Sequence, residues 1–257
     1  MRQTIVIVLF ALAATTLAPA QDSRPKSERQ TAPRVTLDAL TVDQILDKYV
    51  QSLGGRAAIE KVTTRSAKGS FELPTMGVKG EFEYHRKAPN RAVTIITLAG
   101  YGASIEGYDG KVAWASDPAA GVREKSGVEL STSRLDAEFN KELRLRQLFP
   151  KLDLKGAEKV GGRDAWVILA TPIEGPPEKW YFDVQTGLLV RSDIEREGPQ
   201  GKMPFELYLE DYREVDGMKV PFSTRLSNPS LSVVFKADEI KQNNPLDEAK
   251  FRKPTAP

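Results

Sequence analysis

A single histidine, His85, and no cysteine stand in this chain of 257 residues, and that limits the chemistry its side chains can carry. One imidazole and no thiolate cannot furnish the usual tetrahedral zinc set. Serine–histidine catalysis needs a nucleophile elbow and a free base, and the sequence contains no G-x-S-x-G. His85 sits beside Arg86 in a strand-like run, where alternation predicts the solvent-facing side. Glu206, Glu210, Asp211 and Glu214 are close enough in sequence for paired-carboxylate chemistry, yet strand spacing predicts that most of them lie on a solvated face. The Gly-Gly pairs at 54–55 and 161–162 lack the strand, lysine and spacing of a phosphate loop. No catalytic group, metal or cofactor is expected from these residues.

The apolar side chains carry the remaining prospect of function, through ligand contact rather than reaction. Phe82, Tyr84, Val93, Ile95, Trp114, Trp180, Phe182, Leu207, Leu209, Val233 and Phe235 fall at strand positions expected to face inward. Core packing competes with ligand lining at each of them. Leu135, Phe139 and Leu143 are four apart, a stripe predicting one amphipathic helix over 131–149 that is either a movable lid or a fixed core helix. The run 165–170 is apolar on both faces, so periodicity leaves the direction of Trp166 open.

The elements that position these residues are legible from turns and caps. Thr41, three residues before Gln44, has capping-box spacing, and Ile45, Leu46, Tyr49, Val50 and Leu53 follow at helical intervals up to Gly54-Gly55. A short second helix is expected over 56–62. In WYFDVQTGLLVRSDIE, apolar runs flank a glycine-containing loop, and LYLEDYREVDGMKVPFSTRL turns at Asp216-Gly217, so both read as β-hairpins. Strand-like runs fall at 66–73, 78–86, 91–98, 103–108, 111–115, 165–170, 179–183, 188–195, 205–215, 219–226 and 231–240. The expected fold class is α+β, with segregated helices and about eleven antiparallel strands in one large sheet that curls and presents a concave apolar face. Such a face holds either interdigitated side chains or a cavity for a ligand.

Arg2, an apolar run and Ala18-Pro19-Ala20 read as a cleaved secretory signal peptide over residues 1–20, which predicts a periplasmic protein. Residues 21–40 are polar and proline-containing, as in a flexible leader, and residues 41–254 are expected to form one domain. The net charge of +2 comes from interspersed charges of both signs, so no nucleic-acid partner is expected.

The strings WYFDVQTGLLVR (180–191) and DYREVDGMKVPF (211–222), with ILDKYVQSLGG near the start and DEAKFRKP near the end, resemble periplasmic proteins of the LolA/LolB superfamily. That resemblance spans about 41–254 and implies an unclosed antiparallel β-barrel with helices plugging its open side. It implies lipid or lipoprotein acyl chains as ligand class, since some members shuttle lipoproteins while relatives bind other lipids or act as sensor domains. No stretch aligns residue by residue with the functional positions of the carrier proper. The expectation is a periplasmic carrier or chaperone holding an acyl chain; the alternative is a non-catalytic sensor or envelope-assembly module with a packed interior and envelope proteins as partners.

Overall fold

The structure is a computed structural model that describes residues 40–198 and 201–254. The signal peptide expected over residues 1–20, and all of the expected leader except Leu40, lie outside the described residues. Two helices, α1 (Val42–Ser52) and α2 (Arg56–Glu60), precede the strands β1 (Thr64–Leu73), β2 (Val78–Lys87), β3 (Arg91–Leu98), β4 (Gly102–Tyr108), β5 (Ala113–Asp117) and β6 (Gly121–Glu124). The helices α3 (Gly127–Ala137) and α4 (Leu145–Leu148) follow. The chain then adds β7 (Lys151–Val160), β8 (Arg163–Thr171), β9 (Glu178–Asp183), β10 (Leu189–Gly198), β11 (Gly201–Val215), β12 (Met218–Ser227) and β13 (Ser232–Gln242).

All 13 strands form one antiparallel sheet in the order β6-β5-β4-β3-β2-β1-β13-β12-β11-β10-β9-β8-β7. The sheet is two meanders joined where the first and last strands meet, with Phe71 opposite Phe235. β6 and β7 are its unpaired edges, so the sheet stays open. β4 and β10 stand seven spacings apart, about 34 Å along a flat sheet. Both nevertheless touch α3, whose 11 residues span about 16 Å. The sheet is therefore strongly curved, and α3 straps its concave side.

Local chemistry places the turns where the sequence predicts them. Asp216 and Gly217 have φ of 50° and 80°, the positive pair that closes the β11–β12 hairpin, and Gly187 at 77° closes β9–β10. Thr41 and Gln44 complete the reciprocal cap of α1. The two strands beyond the expected eleven are β6, only four residues long, and β7, whose KLDLKGAEKV is polar because an edge strand must repel other edges.

The single helix expected over 131–149 is corrected. α3 begins earlier, at Gly127, and stops at Ala137. Glu138 leaves helical geometry, the Phe139 amide donates to Pro89 O at 2.9 Å, and Asn140 turns left-handed at φ 54°. A 3-10 turn over Lys141–Leu143 and the short α4 follow. Four-residue spacing described the apolar stripe, but a tertiary hydrogen bond claimed the Phe139 amide that a continuous helix needs.

Candidate functional site

The concave face is read directly from the register. Ile168, Trp180, Ser192, Leu207, Leu226 and Val233 lie in one row across β8, β9, β10, β11, β12 and β13. Trp166 pairs with Phe182 and so also points inward, which resolves the direction that the sequence left open. One apolar cluster unites Phe82, Trp180, Phe182, Val233 and Phe139, with Tyr84, Leu135, Leu143 and Phe235 packed against it. Leu207 and Leu209 share this face and are half-buried.

Val93, Ile95 and Trp114 are corrected, because they lie on the opposite face. Val93 pairs with His85 and Gly107, and Gly107 pairs with Trp114, whereas the inward Phe82 pairs with Ile96. A Cβ on Gly107 would stand 2.4 Å from Cζ2 of Trp114, so the bare glycine gives the indole its seat. Phe251 and Leu246, from the C-terminal segment, cover this outer patch. Val93 and Ile95 do alternate as a strand must; which side is concave is not a property of the alternation.

His85 shares that outer face and is also corrected: it is 7% exposed rather than solvent-facing. Both its ring nitrogens lack a hydrogen-bond partner, although Nε2 is 3.3 Å from Glu83. Burial and then Lys250 push its pKa below the ordinary value, against the opposing pull of Glu83. It borders a depression of about 180 Å³, and a second of about 450 Å³ lies near Tyr208 and Arg225.

Further side chains fill the interior of the concavity, among them Phe71 and Phe149, which the sequence did not single out. Phe149 meets Trp180 edge-on with ring centroids 4.5 Å apart, and Tyr49 stands 5.1 Å from Phe182. Phe71 and Phe82 both contact Phe235 at 5.3 Å. The signal for Phe149 was present in the sequence as the end of the apolar helical stripe. The signal for Phe71 was a strand residue flanked by Ser70 and Glu72.

Polar contacts pin the cover to the sheet. From α1, Lys48 Nζ donates to Val184 O at 2.6 Å, while within β9 the Trp180 indole donates to the buried Glu178 at 2.7 Å. On α3, Asp136 accepts from Arg196 at 2.9 Å. Burial pushes the Asp136 carboxyl up, but Arg196, Lys141, Arg86 and Lys125 outweigh it and hold the group below the usual carboxylate range. The clustered carboxylates are engaged elsewhere: Glu206 with Arg191 at 2.6 Å, Glu210 with Arg225 at 3.3 Å and Asp211 with Arg213 at 2.6 Å. Among the described residues no three His, Cys, Asp or Glu side chains group as a metal site.

No family profile and no curated protein matches this sequence. Solved structures do match. A putative outer membrane lipoprotein-sorting protein domain from Vibrio parahaemolyticus superposes with a TM-score of 0.58 at 14% identity, covering 83% of this chain and 98% of that one. A DUF1329 family protein from Desulfovibrio piger gives 0.55 at 18% identity, over 82% and 97% of the two chains. A LolA superfamily protein from Nitrosomonas europaea gives 0.55 at 13% identity, over 84% and 99%. This chain has the LolA-like fold. Within that fold the helices and the chain crossing from β6 to β7 form the cover of the half-barrel, and the aromatic row beneath them is its lining.

Proposed function

We propose that this protein is a periplasmic carrier, exported by its N-terminal segment, that shelters an acyl chain or other lipid moiety on the concave face of its LolA-like half-barrel. Lipids or the acyl chains of lipoproteins are its ligands, and no chemical step is part of the role. The observation that carries this reading is the construction of the cover. The apolar face of an open sheet is closed by α1 and by the separate pieces α3, a 3-10 turn and α4, with the non-helical Glu138–Asn140 segment between α3 and the 3-10 turn. Displacing the piece that bears Phe139 and Leu143 opens apolar surface without breaking the sheet. Each methylene that a chain then buries contributes about 0.8 kcal/mol.

Filling of the concavity by Phe71, Phe149, Phe182, Ile45 and Leu46 favours a second reading, a packed sensor or envelope-assembly module without a lipid. Comparing native with denaturing mass spectra of protein purified without detergent separates the two. A releasable lipid-sized mass is expected. Its absence, after incubation with lipid extract as well, favours the packed module.

A further inference from the structure

We propose that Arg65, Arg86 and Gln242 form an oxyanion site on the concave face, which takes the carboxylate or phosphate headgroup of an amphiphile. Arg65 pairs directly with Arg86 on one side and with Gln242 on the other, a single row across β2, β1 and β13. The row lies next to Ala67, Tyr84 and Ile240, and so at the polar end of the apolar lining.

Two like charges directly opposite on adjacent strands destabilise a sheet unless something neutralises them. Among the described residues neither arginine has a carboxylate partner. The hydrogen bond Arg65 does make goes to Met218 Sδ at 3.1 Å, a weak acceptor, and its Nε is buried with no partner. Gln242 is 8% exposed, yet neither atom of its amide has a protein partner. Buried polar groups in folded proteins are paired, so the unpartnered Arg65 Nε and Gln242 amide, beside an Arg86 without a carboxylate, point to a polar group brought from outside whose oxygens take the Arg65 and Gln242 N–H groups.

The surrounding field has the matching sign. Asp136 feels four cations, Arg196, Lys141, Arg86 and Lys125, and hydrogen-bonds only Arg196. Glu142, whose charge reaches Tyr49 as that of Arg65 does, makes no ion pair with either arginine. Burial raises the pKa of the Tyr84 phenol, so at neutral pH it is an uncharged group with a proton to donate. Guanidinium forks match the oxygens of carboxylate and phosphate, and an uncharged headgroup offers them no such pairing.

The headgroup assignment stands on these residues, whereas the seating of its chain rests on the carrier reading. Calorimetry with hexadecanoate, hexadecyl phosphate, hexadecanol and inorganic phosphate separates the two. The anionic amphiphiles are expected to bind roughly ten- to hundred-fold more tightly than hexadecanol. Arg86→Gln and Gln242→Leu should remove that preference. Arg65→Lys, which keeps the charge but not the fork, should weaken it. Arg86→Gln should also raise the Tm of the unliganded protein by relieving the arginine pair, a change that a purely structural arginine would reverse. Equal affinity for acid and alcohol, or an unchanged preference in folded Arg86→Gln, overturns the oxyanion site and leaves the carrier reading standing. Binding of inorganic phosphate but of no amphiphile supports the site and overturns the carrier. Binding of none of the four overturns both.

Discussion

Phe71 is fully buried and its ring lies against Phe235 at the seam where the first and last strands meet. Phe71→Ala should cost about 3–5 kcal/mol, read as a fall in the urea midpoint, because the rigid seam cannot collapse into the cavity. Asp183 accepts from the Thr186 amide and hydroxyl at 2.7 and 2.8 Å and pairs with Arg163 at 2.7 Å. Burial raises its pKa, but the Thr186 and Arg163 contacts outweigh that and hold it below the ordinary value. Its contribution to stability is therefore complete above the unfolded value of about 3.9 and is lost as pH falls through the lower folded value. Thermal melts of Asp183→Asn should show a shallower acid dependence than wild type below about pH 4. His85 is the only histidine, so its ring resonances titrate alone in an NMR spectrum. Their midpoint is expected below about 6.5, and a midpoint above that value would contradict its burial under the C-terminal segment.

At the scale of elements, α1 is joined to the rest of the molecule at both ends. Its start depends on Thr41, and Thr41→Ala should cost about 1 kcal/mol. Its end abuts the β11–β12 turn: Gly54 has φ 115°, and a Cβ there would stand 2.2 Å from Gly217 O. Gly54→Ala should therefore destabilise by more than about 1 kcal/mol, measurable in urea, since the backbone conformation and the contact both oppose it. This helix was legible because capping chemistry is local. The helix expected over 131–149 was not, because its break depends on Pro89 O, some 50 residues away in sequence.

At the scale of the molecule, an open sheet must protect two edges. β6 is short, and β7 carries Lys151, Lys155 and Lys159 with a left-handed Gly156 at φ 99° interrupting its pairing. Replacing Lys155 and Lys159 together by valine should produce concentration-dependent association in sedimentation, since the exposed backbone would then lie beside an apolar strip. The same openness lets the chain between β6 and β7 cross the concave mouth and carry Leu135, Phe139 and Leu143 over the lining.

The sequence by itself determined what depends on neighbours along the chain: the hairpin at Asp216-Gly217, the cap at Thr41, the alternation of the strands and the shortage of catalytic groups. It also carried the resemblance that anticipated the fold. Only the tertiary structure decided what depends on distant partners. Alternation says that Val93 and Phe82 point to definite sides, but the pairing of His85 with Val93 puts that side outside. Arg65, Arg86 and Gln242 come from three separate stretches of sequence: Arg86 ends an expected strand, and Arg65 and Gln242 fall just outside the runs expected over 66–73 and 231–240. They become a candidate site because β1 pairs with both β2 and β13, the long-range contact that no local propensity encodes.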